Sequence, residues 1–152
     1  MTANKTITDI ISAANAIFMT VPGIKRAYAE APDTPPSGSG DLPCVIPLVQ
    51  SVATPPAQAF GFQRKDYSIK FLLLVAHYSK GLVAIEKQAR PFIDSVPDAF
   101  FPHVKLNDAG IDHANVDEMH YRALEYTPGG AVYVGYEVML SATIKNVLTQ
   151  GV

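Results

Sequence analysis

One cysteine, almost no net charge and no apolar run longer than six residues exclude several specialised classes before any motif is read. Cys44 cannot form an internal disulfide, and its place in Leu42-Pro43-Cys44-Val45-Ile46 is that of a small buried hydrophobe. The expectation is assembly in a reducing cytoplasm. Twelve basic against fourteen acidic side chains give a formal charge of −2, without the basic excess that grips nucleic acid. The longest purely apolar run, Phe71 to Ala76, falls far short of the about twenty residues of a membrane helix. Met1-Thr2-Ala3-Asn4-Lys5 lacks the charged region, apolar stretch and cleavage site of a secretory signal. A protein free of membrane is expected.

What is present is a chain of 152 residues, 48% hydrophobic, enough for one core that buries about 70% of the unfolded surface. A single domain over residues 1–152 is expected. Ile7, Ile10, Ile11, Ala14, Ile17, Phe18 and Val21 fall on one face at helical spacing. Thr6 and Asp9 form an approximate capping box before them, and Pro22-Gly23 stops the helix. A short strand is expected over Lys25–Glu30, then an exposed loop over 31–41, where three prolines and two glycines bar regular hydrogen bonding. Leu42–Val49 reads as an edge strand because Pro43 and Pro47 lack ladder donors. Residues 50–65 read as a second long loop.

Asp66 to His77 reads as a strand apolar on both faces, with Tyr67, Ile69, Phe71, Leu73 and Val75 on one and Leu72, Leu74 and Ala76 on the other; such a strand belongs at a sheet centre. Leu82, Ile85, Ala89, Phe92, Ile93 and Val96 predict a second helix over 82–96, kinked or broken at Pro91, followed by a loop over 97–115. Val116–Thr127, a Pro-Gly-Gly turn and Ala131–Asn146 predict a hairpin whose second arm alternates apolar and polar residues. The fold class expected is α+β: an antiparallel or mixed sheet of about five strands with two main helices packed on one face.

Chemistry is sparse. His77, His103, His113 and His120 lack the i, i+4 spacing of a helical zinc site and read as solvated surface residues. Gly38-Ser39-Gly40 has neither the Gly-Lys-Ser/Thr of a phosphate loop nor the elbow of a serine nucleophile. No catalytic, metal or cofactor residue is assigned, and the expectation is a protein that is not an enzyme. Charge is patterned instead. Residues 60–90 carry six basic side chains (Arg64, Lys65, Lys70, Lys80, Lys87, Arg90) against two acidic, net +4. Residues 107–126 carry five acidic side chains (Asp108, Asp112, Asp117, Glu118, Glu125) against Arg122, net −4. Such a two-signed surface suits head-to-tail association.

The layout resembles the tail terminator and tail-completion (neck) proteins of long-tailed bacteriophages. The resemblance rests on Val21-Pro22-Gly23-Ile24 closing the first helix, on a strand and Pro-rich loop leading into Asp41-Leu42-Pro43-Cys44-Val45-Ile46, and on the long strand Tyr67 to Val75. Phe92-Ile93-Asp94-Ser95-Val96 and Tyr133-Val134-Gly135-Tyr136-Glu137-Val138-Met139-Leu140 complete it. It implies a ring of about six copies that ends tail polymerisation, with the tail tube protein and a head connector or stopper as partners. DNA would pass through without specific binding, and the location would be the virion neck, after assembly in the host cytoplasm. Head-completion, stopper or minor tail roles are neighbouring readings. A small ligand-binding α+β domain is a reading of a different class, for which no convergent polar groups can be named. Within the ring reading, Phe60, Phe62, Arg64 and Lys65 are candidate subunit or tail contacts, because aromatic anchors dominate interface energetics. Asp108, Asp112 and Asp117 are candidate acidic lumen residues that would keep phosphates from sticking.

Overall fold

The structure is a computed structural model that describes residues 5–36, 38–54, 62–106, 110–126 and 130–147. Helix α1 (Ile7–Phe18) begins as its sequence dictates. The Thr6 backbone N–H donates to Asp9 Oδ2 at 2.8 Å and the Thr6 hydroxyl donates to the same oxygen at 3.1 Å. Its apolar stripe of Ile10, Ile11, Ala14, Ile17 and Phe18 is buried. Strand β1 (Arg26–Ala27) is only two residues long and runs parallel to β2 (Cys44–Ala53). It is shorter than the expected Lys25–Glu30.

Strands β3 (Phe62–His77), β4 (His113–Tyr126) and β5 (Ala131–Val147) complete a mixed five-stranded sheet in the order β1-β2-β3-β5-β4. The α+β class with helices on one face is as expected, and β3, apolar on both faces, lies at the centre. The hairpin β4–β5 is also as expected, with Val116 to Tyr126 paired against β5 from Ala131 to Leu140.

Several boundaries differ, each for a physical reason. Residues 50–65 are not one irregular loop: Gln50–Ala53 pair with Ile69–Asp66, and Phe62–Lys65 pair with Val147–Ile144, so both flanks extend the ladder. Continuous hydrogen bonding outweighed their weak apolar signal. The expected exposed loop 31–41 contains one helical turn, α2 (Gly38–Asp41), beginning beyond the last of its prolines, Pro36. That loop is also fastened down: Tyr126 Oη donates to the Pro32 carbonyl and Tyr133 Oη to the Pro36 carbonyl.

The second predicted helix is broken at Pro91 into α3 (Leu82–Ala89) and α4 (Phe92–Phe100). Contrary to expectation, α4 runs through Pro97, and residues 97–115 are therefore not all loop; β4 begins at His113. Phe92, Val96 and Phe100 lie at i, i+4 and i+8 and are all buried. Burial worth about 1.5–3 kcal/mol for each outweighs the about 3 kcal/mol cost of one internal proline.

The main core lies between the sheet and α1, α3 and α4, where Phe18 meets Phe71 and Phe100 at ring-centroid distances of 5.1 and 4.9 Å. A smaller core on the opposite face gathers Cys44, Ile46, Leu72, Leu74, Leu124, Tyr126 and Tyr133 beneath the Pro-rich loop. Between Leu74 and Ala76 a bulge shifts the β3–β5 register, so that Val75 and Ala76 both join the helix-side core rather than alternating. Gly135 makes this possible, because a Cβ there would sit 1.9 Å from the Leu73 carbonyl oxygen.

Candidate interaction surfaces

The Pro-rich loop covers only one end of the sheet's second face. Over the rest, β3, β5 and β4 present Lys70, Glu137 and Arg122. Glu137, whose side chain is 15% exposed, accepts from Lys70 Nζ at 3.1 Å through Oε2 and from Arg122 at 3.2 Å through Oε1. One carboxylate therefore joins two strands through a third, and two cations share one acid. The ladder continues toward the far end of the sheet. Thr143 Oγ1 donates to Asp66 Oδ1 at 2.8 Å and Arg64 Nε to the same oxygen at 3.0 Å. The Arg64 bond, followed by that of Thr143, holds the Asp66 carboxyl below its ordinary range. Asn115 Nδ2 and Ser141 Oγ both donate to Asp117 Oδ1. This polar face is thus a preformed array of paired charges and hydroxyls, and among the described residues α1, α3 and α4 all pack on the other side of the sheet.

On the helical side the surface has a different character. Leu82 and Val83 open α3 at 69% and 71% exposed, and Phe101, just past α4, is 84% exposed. Ile93, Val104 and Tyr121 add further exposed apolar area. Leu82 and Ile93, which the sequence spacing assigned to the buried stripe, are therefore on the outside. The break at Pro91 rotates α4 relative to α3, so one continuous stripe cannot be buried through both.

The candidate residues from the sequence are distributed as follows. Phe60 and Asp108 lie outside the described residues, as does the side chain of Phe62, whose backbone opens β3 opposite Val147. Arg64 and Lys65 stand where β3 and β5 extend as a two-stranded ribbon beyond the last pairs of β2 and β4. Asp112 is beside this ribbon: its N–H donates to the Thr143 carbonyl at 2.9 Å, and its carboxylate lies 3.9 Å from Lys145 Nζ. Asp117 sits at the β4 bulge between Val116 and Glu118. The fold thus brings Arg64, Asp112 and Asp117 to the same end of one sheet. Lys70 of the +4 segment and Arg122 of the −4 segment bind a common acid, Glu137, on the strand between them.

The histidines include two corrections, since His103 as well as His77 is half-buried rather than a solvated surface residue. The His77 ring lies 5.0 Å from that of Tyr78 and 5.8 Å from that of Tyr133. Among the described residues no three His, Cys, Asp or Glu side chains converge as metal ligands. Cys44 is fully buried, and desolvation pushes its thiol up to about 12, which removes it as a nucleophile. No helix among the described residues is long and apolar enough to cross a membrane.

Two features were missed by sequence reading. The role of Glu137 was hidden because pairing register, which brings Lys70 and Arg122 to it, is not local information. The adjacent Leu82 and Val83 did carry a signal: neighbours about 100° apart on a helix cannot both point to the centre of one stripe. Neither a protein-family model nor a curated protein matches the chain.

Proposed function

We propose that this chain is a structural subunit of a phage neck, forming a ring of about six copies at the head-proximal end of the tail tube, where it ends tail polymerisation and joins the tube to the head connector. The observation that carries this reading is that, among the described residues, the two sides of the sheet differ: the helical side exposes large apolar side chains, Leu82, Val83 and Phe101 among them, and the other face carries the charged group Lys70, Glu137 and Arg122. A heterologous ring requires two different faces on each subunit, whereas a two-fold dimer requires only one self-complementary face. The α+β layout of the resemblance and the projecting β3–β5 ribbon, which carries Arg64 and Lys65, support the same reading. The partners would be further copies of the chain, the tail tube protein and a connector or stopper protein. DNA would traverse the ring without being gripped, in keeping with the formal charge of −2. The virion neck would be its place of residence.

The test is electron microscopy of particles from an inducible phage or prophage in which this gene carries an early stop codon. Overlong tails, or finished tails and filled heads left unjoined, support the reading. Normal infectious particles overturn it.

A further inference from the structure

A cleft of about 580 Å³ opens between the C-terminal turn after α1, the segment leading into β2 and the α3–α4 junction. That volume is in the range of small-molecule sites. Its apolar lining includes Val75 and Ala76, both turned to this side of β3 by the bulge, and Phe92 at the start of α4. Gly23, at φ +96°, brings the backbone against Phe92; a Cβ there would lie 3.2 Å from Phe92 Cζ. The polar groups are of one sign. Lys25, His77 and Lys80 line the cleft, and no Asp or Glu is among its described lining residues.

Lys80 and His77 have side-chain partners, and Lys25 is anchored through its backbone. The Lys25 backbone N–H donates to the Pro43 carbonyl at 2.8 Å. Lys80 Nζ donates to Gln88 Oε1 at 2.7 Å, which fixes the ammonium over α3 and leaves it further donors. His77 Nδ1 accepts from the Ser79 backbone N–H at 3.3 Å and lies 2.8 Å from the Ser79 hydroxyl oxygen. Neither Lys25 nor Lys80 makes an ion pair among the described residues.

We propose that this cleft is a binding site for a small apolar carboxylate, an aromatic or aliphatic body against Val75, Ala76 and Phe92 with its carboxylate toward Lys25 and Lys80. An apolar floor without acids, flanked by two cations that make no ion pair among the described residues, favours a monoanion over a neutral or cationic ligand of the same shape. This site is independent of the ring reading, because it uses neither the bare sheet face nor the exposed apolar residues of α3.

The experiment titrates the full chain with naphthoate and, separately, with uncharged naphthylmethanol, following backbone amide shifts of Gly23, Ala76 and His77 by NMR. Saturable shifts with naphthoate are expected, with naphthylmethanol about tenfold or more weaker. Lys25→Gln with Lys80→Gln, both exposed and so compatible with folding, should lower naphthoate affinity by a similar factor and leave naphthylmethanol unchanged; Lys25→Arg with Lys80→Arg should restore naphthoate binding. Equal affinity for the two probes, shifts confined to residues elsewhere, or no saturation overturns the proposal.

Discussion

Glu137 on β5 accepts Lys70 Nζ of β3 at 3.1 Å while its other oxygen, at 3.2 Å, takes Arg122 of β4. Its side chain is 15% exposed, against 31% for Lys70 and 52% for Arg122. The acid is thus the buried member and the cations are the solvated ones. Glu137→Gln should therefore destabilise by about 1–3 kcal/mol, between a surface and a buried pair, whereas Arg122→Gln should cost less than about 1 kcal/mol. Urea midpoints of the two variants check this order. A larger loss in Arg122→Gln would mean that Glu137 is not the hub of the ladder.

Gly135→Ala should be among the most damaging small substitutions in the molecule. The added Cβ meets backbone, the Leu73 carbonyl at 1.9 Å, and not a flexible side-chain end. The β3–β5 ladder must then open locally or change register. A loss of about 3 kcal/mol or more, or failure to fold, is expected, read by thermal unfolding. A Tm within a few degrees of the parent would show that the strands do not approach this closely.

These two positions indicate what sequence could supply and what it could not. Periodicity located α1, β3 and the β4–β5 hairpin, because an apolar stripe and a strict alternation are local properties of the chain. It misjudged α4, because the Pro97 penalty is local whereas the gain from burying Phe92, Val96 and Phe100 comes from the sheet. It missed the ladder over Gln50–Ala53 and Phe62–Lys65 for the same reason, since their hydrogen bonds are made to partners distant in sequence. Of the candidate contacts, Arg64, Lys65, Asp112 and Asp117 could be named from charge density alone. That three of them meet at one sheet end depends on strand order, to which charge density gives no access.

Tyr126 and Tyr133 fasten the Pro-rich loop through their hydroxyls, bonded to the Pro32 and Pro36 carbonyls. Tyr126→Phe with Tyr133→Phe keeps the rings and removes both bonds. The double variant should lose about 1–3 kcal/mol and become susceptible to protease between Tyr28 and Asp41, with cleavage sites read by mass spectrometry. Unchanged cleavage would show that ring packing alone retains the loop.

Alkaline pH should unfold the protein earlier than an exposed thiol and ordinary tyrosines would allow. Burial raises Cys44 from 9.0 to about 12, and it also raises Tyr126, Tyr133 and Tyr136 above 10.0. A raised folded-state value means the native chain keeps protons that the unfolded chain has released. The stability from Cys44 is therefore complete below about pH 9 and declines as pH rises toward about 12. Tm measured from pH 8 upward should fall, and Cys44→Ala should flatten the part of that fall due to the thiol. An identical slope in the variant would contradict the assignment. At neutral pH the native thiol should resist an aromatic disulfide reagent that reacts rapidly after denaturation.

In the proposed ring, the helical side of one subunit meets the polar sheet face of the next. Electron microscopy of the purified protein over a rising concentration series tests it most directly, with Val83→Asp plus Phe101→Asp run in parallel. Both substituted side chains are exposed, 71% and 84%, so the fold and Tm should be retained. Closed rings of about six subunits are expected in the parent and dispersed single subunits in the double variant. Dispersed parent protein at every concentration, or rings unaffected by the two aspartates, would contradict it.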